Sequence, residues 1–237
     1  MNLIFDVDDT LYDMTQPFQR AYQKLWKDKY EVDVAALFRV SREYSNAIFD
    51  KVVNKEISVD ESGVYRMKMA MKDFGYNISE EEALMFQLNY RHFQSDIVLS
   101  KTMKQLLDYC VANEIRLGVL TNGVSEHQHK KINGLGLQRW MKEEEMFVSD
   151  DIGFSKPDVR AFQRIEKAMN INKEDTWYVG DSIEHDICGA KGAGWHTIWL
   201  DRRGNQLKES DPKPEIIVPT EEELFSLITQ LVEKRRG

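Results

Sequence analysis

Leu3-Ile4-Phe5-Asp6-Val7-Asp8-Asp9-Thr10 sets the fold: a short apolar run that reads as a buried strand and ends in acidic side chains at i and i+2. Open α/β sheets build their sites at the carboxyl ends of parallel strands. A charge there is costly to desolvate, and two crowded carboxylates cost more, so the pair calls for a cation or a shared proton.

Moving outward, residues 15 to 94 contain no convincing strand and read as successive helices. Ala21, Leu25 and Trp26 give one apolar face, Val34, Leu37, Phe38, Tyr44, Ile48 and Phe49 the next, and Val64, Met67, Ala70, Met71 and Phe74 another. Gly75-Tyr76-Asn77 breaks the pattern, and Ser79 with Glu82 forms a capping-box signature ahead of Leu84, Met85 and Leu88.

From Ser100 the pattern changes to helix and strand in alternation. Strands are predicted at 115–120, 146–148, 176–179, 195–199 and 216–218, with helices between them and one after the last. Such alternation implies right-handed crossovers and a mainly parallel sheet. The expected architecture is therefore α/β, a Rossmann-like parallel sheet formed by residues 1–14 and 97–237, interrupted by an α-helical cap domain at 15–96. The insertion leaves just after the first strand, which places the cap over the sheet edge that carries Asp6.

At 237 residues the chain has room for one core plus a smaller inserted domain. It is 42% hydrophobic and 30% charged, as folded proteins usually are. The net charge of −8, with basic clustering only in Lys234-Arg235-Arg236, excludes nucleic acid and anionic membrane as expected partners. The two cysteines, Cys110 and Cys188, lack ligand or disulfide spacing and read as small apolar side chains. With no signal-peptide pattern and no long apolar run, the expected location is the cytoplasm.

Three further segments join the first, two of them directly after strands and one at a helix entrance. Thr121-Asn122-Gly123 follows the apolar Val119-Leu120; Lys156-Pro157 stands at a predicted helix entrance; and Gly180-Asp181-Ser182-Ile183-Glu184-His185-Asp186 follows Tyr178-Val179. Singly, each also has a structural reading: a turn for Asp6 and Asp8, a helix cap for Thr121, a solvated lysine for Lys156, a favourable macrodipole contact for Asp186. Together and in this order, they resemble the four motifs of the haloacid dehalogenase-like hydrolase superfamily, in its capped phosphatase branch, over essentially the whole chain.

That resemblance implies an Mg²⁺-dependent phosphatase acting on a small phosphorylated metabolite. Asp6 would be the nucleophile and Asp8 the general acid and base, while Thr121, the Asn122 backbone N–H and Lys156 would hold the transferring phosphoryl group. Asp6, the Asp8 backbone carbonyl and Asp181 would hold the metal, with Asp186 behind a water. Asp8 is expected to have a raised pKa from its neighbouring carboxylate and partial burial. The dehalogenases of the superfamily lack this second acid. A resemblance to pyrimidine 5′-nucleotidases suggests a nucleoside monophosphate; a phosphosugar mutase and, further off, a 2-haloacid dehalogenase are the alternatives. A monomer or homodimer is expected.

Other residues are assigned structural roles. His127, Gln128, His129, Lys130 and Lys131 read as an exposed polar helix face, His185 as solvent-facing and Glu143-Glu144-Glu145 as solvated loop. Trp177, Trp195 and Trp199 read as strand core; Tyr44, Phe49, Tyr65, Phe86 and Tyr90 read mostly as helical core.

Overall fold

The computed structural model describes residues 1–236. In chain order its regular elements are β1 (Asn2–Phe5), α1 (Thr15–Leu25), α2 (Val34–Ala47), α3 (Phe49–Val53), α4 (Val59–Asp73), α5 (Glu80–Gln94), α6 (Lys101–Ala112), β2 (Arg116–Thr121) and α7 (Ser125–Leu135). There follow β3 (Met146–Val148), α8 (Ser149–Ile152), α9 (Val159–Met169), β4 (Thr176–Gly180), α10 (Cys188–Gly192), β5 (His196–Leu200), β6 (Ile216–Val218) and α11 (Glu221–Arg236). The chain divides into two compact units: Met1–Asp13 together with everything from Val98 onward, and Met14–Ile97. No helix among the described residues is long and apolar enough to cross a membrane.

The α/β unit carries one parallel six-stranded sheet in the order β3-β2-β1-β4-β5-β6. Leu3, Ile4 and Phe5 are fully buried, as an all-apolar strand must be in a parallel sheet covered on both faces. Phe5 lies opposite Val119 on one side and Val179 on the other, so the chain changes winding direction at β1 and opens a crevice there. Below it, Ile4, Leu120, Phe162, Ile165, Tyr178 and Trp195 form a core cluster.

The helical unit buries rings. Phe18 packs edge-on against Phe38, Phe86 and Tyr90 at centroid distances of 5.3, 4.9 and 5.6 Å, and Trp26 stacks on Phe86 at 5.0 Å. Offset and edge-on arrangements like these suit the ring quadrupoles. α5 opens on the expected Ser79–Glu82 capping box, and α4 on a second one, Ser58–Glu61, which the sequence reading overlooked.

Several expectations are corrected. α9 begins at Val159 with Asp158 as its cap, so Pro157 precedes the helix rather than opening it. Glu143–Glu145 is a 3₁₀ turn whose Glu145 is buried and receives Arg116 Nε at 2.8 Å. Trp195 and Trp199 are core, but Trp195 precedes β5, and Trp177 is partly exposed and stacks on His196. Phe86 and Tyr90 are buried, whereas Tyr44 and Phe49 are half-buried and Tyr65 is exposed, its one ring contact among the described residues being with Tyr44. Cys110 is buried and Cys188 exposed.

Candidate active site

Asp6 stands one residue beyond the sheet, its N–H donating to the Val179 carbonyl at 2.9 Å, between the ends of β2 at Thr121 and β4 at Gly180. Lys156 reaches it from the turn before α9. The lysine Nζ donates to Asp6 Oδ1 at 2.6 Å, to Asp186 Oδ1 at 2.6 Å and to the Tyr178 hydroxyl at 2.8 Å. An ammonium has three protons, and all three are used. Tyr178 in turn donates to the Leu120 carbonyl at 2.8 Å, which fixes the orientation of the cluster against β2.

Two reciprocal bonds lock the turn in place. The Lys156 N–H donates to Asn122 Oδ1, and Asn122 Nδ2 donates to the Lys156 carbonyl, each at 2.9 Å. The Asn122 side chain thus ties together the turns carrying Thr121 and Lys156, a role beyond the backbone contact expected of it.

Asp186 lies on a single π-helical turn, Ile183–Ile187, and its second oxygen accepts the Ser182 N–H at 3.0 Å. A side chain at position 180 would collide with the Asp186 carboxylate, so glycine is required at the end of β4 for this approach. His185 on the same turn is half-buried, not solvent-facing as expected.

Asp6, Asp181 and Asp186 each offer a carboxylate oxygen, all within 4.8 Å of one another. Two of the three are buried, and a donor set of hard anionic oxygens fits Mg²⁺. The Asp8 carboxylate is not one of this trio. It accepts Lys131 Nζ at 2.6 and 2.8 Å, the Tyr12 hydroxyl at 2.5 Å and Gln128 Nε2 at 3.0 Å.

Charge burial splits the two leading aspartates. Burial pushes Asp6 up to about 7; Lys156 opposes the shift, and the Asp186 and Asp8 charges add to it. Burial also pushes Asp8 upward, but the Lys131 charge and the hydrogen bonds from Lys131, Tyr12 and Gln128 outweigh it and hold Asp8 down at about 2. The expectation of a raised Asp8 is therefore reversed, because its close neighbour is a cation. Lys156 is desolvated too, yet Asp186 and Asp6 keep its pKa well above the ordinary lysine value.

The sequence reading missed the Tyr12 and Tyr178 hydroxyls and four side chains from later elements. Gln128 and Lys131 were assigned to an exposed face, but both are buried. The i, i+3 spacing of Gln128 and Lys131, continued by the apolar Ile132 and Leu135, was the available signal. Arg202 and Arg203, after β5, brace the loop beyond Asp8: Arg202 donates to the Asp9 and Thr10 carbonyls, and Arg203 to the Asp9 and Asp13 carboxylates. Nothing in their local sequence marks that contact.

The parallel sheet thus carries a helical insertion after its first strand, and a buried lysine is shared by Asp6, just past β1, and Asp186, on the turn after β4. The family profile described as haloacid dehalogenase-like hydrolase matches residues 3–200. Among similar proteins, the putative HAD-hydrolase YfnB of Bacillus subtilis is 29% identical over 93% of this chain and 89% of its own. Pyrimidine 5′-nucleotidase PynA of Streptococcus pneumoniae is 28% identical over 84% and 83%. A glyceraldehyde 3-phosphate phosphatase of Methanothermobacter thermautotrophicus is 27% identical over 84% of each chain. A solved magnesium-bound structure of YfnB superposes with a TM-score of 0.71 at 27% identity, covering 96% of this chain and 97% of that one. The L-2-haloacid dehalogenase RSc1362 shares the fold with a TM-score of 0.74 at 17% identity, covering 96% and 98%. The chain belongs to the haloacid dehalogenase-like hydrolases.

Proposed function

We propose that this protein is an Mg²⁺-dependent phosphatase that hydrolyses a small phosphomonoester through an aspartyl-phosphate on Asp6. The observation that carries the reading is a second carboxylate, Asp8, two residues from Asp6 and held by its own cation while Asp6 pairs with Lys156. Halide needs no proton to leave, so a dehalogenase has no use for such a group; an alkoxide leaving group does.

In the first half-reaction an Asp6 oxygen attacks phosphorus, the bond from phosphorus to the leaving oxygen breaks, and Asp8 supplies the proton to that oxygen. In the second, water adds to phosphorus, gives its proton to Asp8, and the bond from phosphorus to Asp6 breaks to release phosphate. The Lys131 contact favours the ionised form of Asp8, which is the form the second step needs; for the first, Asp8 takes up a proton before the leaving oxygen departs. Lys156 offsets charge beside the nucleophile, and the Thr121 hydroxyl, which donates to Gln128 at 3.3 Å, would turn to a phosphoryl oxygen. Asp6, Asp181, Asp186 and the Asp8 carbonyl would hold Mg²⁺, which when bound screens the phosphate from the attacking carboxylate.

Turnover of p-nitrophenyl phosphate in Mg²⁺ and in EDTA, by wild type and Asp6→Asn, tests the reading. Activity should need both the metal and Asp6; hydrolysis that survives Asp6→Asn removes the nucleophile from the scheme. For the substrate we favour a nucleoside monophosphate, on the similarity to PynA. A panel of nucleotides and sugar phosphates decides this, and a preference for triose or hexose phosphates defeats it.

A further inference from the structure

α7 turns a charged face inward. Lys131 is buried, with only 10% of its side chain exposed, and its sole ion-pair partner among the described residues is Asp8. Burying an ammonium on a helix that already has Ile132 and Leu135 for packing is unfavourable unless the charge has a task. Methionine would fill the space without the desolvation cost.

The geometry of the contact points to what that task is. Lys131 Nζ spans both Asp8 oxygens, at 2.8 Å to Oδ1 and 2.6 Å to Oδ2. Tyr12 takes a second position on Oδ1 at 2.5 Å, and Gln128 Nε2 a second on Oδ2 at 3.0 Å. Four donor contacts thus hold this one carboxylate on both of its oxygens.

Gln128 also joins this clamp to the phosphate-side turn. Its Nε2 donates to the Asn122 carbonyl at 3.0 Å and its Oε1 accepts the Thr121 hydroxyl at 3.3 Å. It occupies the space beside Gly123, where φ is +142° and a side chain would meet Gln128 Nε2 at 2.7 Å. Asp8 and Thr121 are thus positioned through a single amide.

We infer that Lys131 and Gln128 are positioning residues for Asp8, aligning its carboxyl group for proton transfer to the leaving oxygen and from the attacking water. This rests on the phosphatase reading above and deepens it. Neither residue touches the reacting phosphorus; both act through the carboxyl they orient.

The test uses phosphate monoesters graded in leaving-group basicity, from p-nitrophenyl through phenyl to a primary alkyl phosphate, with wild type, Lys131→Met, Lys131→Arg and Asp8→Asn. A positioned general acid contributes roughly 100-fold or more where the leaving group is basic and little where it is not. Lys131→Met should therefore lower kcat roughly 100-fold on the alkyl ester and only a few-fold on p-nitrophenyl phosphate, with KM nearly unchanged. Lys131→Arg should recover part of the loss, and Lys131→Met added to Asp8→Asn should cost nothing further. An equal loss on every ester, or full additivity with Asp8→Asn, overturns the inference.

A crystal structure of the same variant, with Lys131→Gln as a second choice if Lys131→Met does not fold, gives a readout independent of turnover. Asp8 should occupy more than one rotamer. A single unchanged Asp8 conformer overturns the inference, whereas wild-type protein inert toward every ester defeats the phosphatase reading instead.

Discussion

At the strand ends of the α/β unit, Asp6, Lys156 and Asp186 are nearly sealed from water, and beside them half-buried Asp8 pairs with Lys131. The interior of the helical unit is instead a cluster of rings around Phe18 and Phe86, with Arg66 as its one buried charge among the described residues. Both interiors exclude water, yet the first holds Asp6, which burial pushes up to about 7, and the second holds mainly aromatic rings. The stability of the two units should therefore respond differently to the same change of conditions.

The strongest contrast comes from truncating the centre of each interior. Lys156→Met leaves Asp6 and Asp186 buried without their shared cation, and breaking a buried pair in this way costs about 3–5 kcal/mol. Phe86→Ala opens a cavity beneath Phe18 and Trp26 and costs a similar amount, about 3–5 kcal/mol. Urea unfolding in EDTA at pH 5 and pH 8 separates the two. Much of the Lys156→Met penalty should disappear at pH 5, where Asp6, already raised to about 7 by burial, takes up a proton; the Phe86→Ala penalty should be the same at both. A pH-independent Lys156→Met would mean that the cluster is not held together by charge.

Asp6→Asn sharpens the same point with the opposite sign. The folded pKa of Asp6, about 7, exceeds its ordinary 3.8, so between those values the folded state binds more protons than the unfolded one. Stability then falls as pH rises through that window, and above pH 7 the whole penalty is present. Asparagine carries no such penalty. In EDTA, Asp6→Asn should raise Tm, by more at pH 8 than at pH 5, while abolishing turnover; a residue that serves chemistry at the expense of stability behaves in this way. A lower Tm at pH 8 would contradict a raised Asp6.

The same division explains what could be read in the sequence. Strand order around β1, the helical insertion and the convergence of Asp6, Thr121, Lys156 and Asp181 were legible because each depends on local pattern: apolar runs, glycine turns, acidic residues just past strands. What escaped depends on pairing across the fold. Lys131 looks like any solvated lysine until Asp8, 123 positions away, is seen beside it, and the lowered Asp8 pKa follows from that neighbour first, with Tyr12 and Gln128 adding to it. Asn122, Tyr178 and Arg202 are likewise defined by partners far off in the sequence.

Arg66 gives the smallest effect and tests whether the helical unit tolerates its one buried charge for any reason of stability. Its guanidinium lies over the Tyr90 ring at 5.3 Å and donates to Gln87 Oε1 at 2.6 Å, it faces no carboxylate among the described residues, and its Nε has no hydrogen-bond partner. Removing the arginine alone strands the Gln87 amide, so Arg66→Met should cost about 1–2 kcal/mol. Replacing both, Arg66→Met with Gln87→Met, leaves no bare polar group and should return stability to the wild-type value or about 1 kcal/mol above it. Urea midpoints of the two variants measure the difference, and it should not vary between pH 5 and pH 8. If the double variant is less stable than Arg66→Met alone, the buried guanidinium and amide stabilise the unit as a pair, and the interior of the helical unit depends on polar contacts as the site in the α/β unit does.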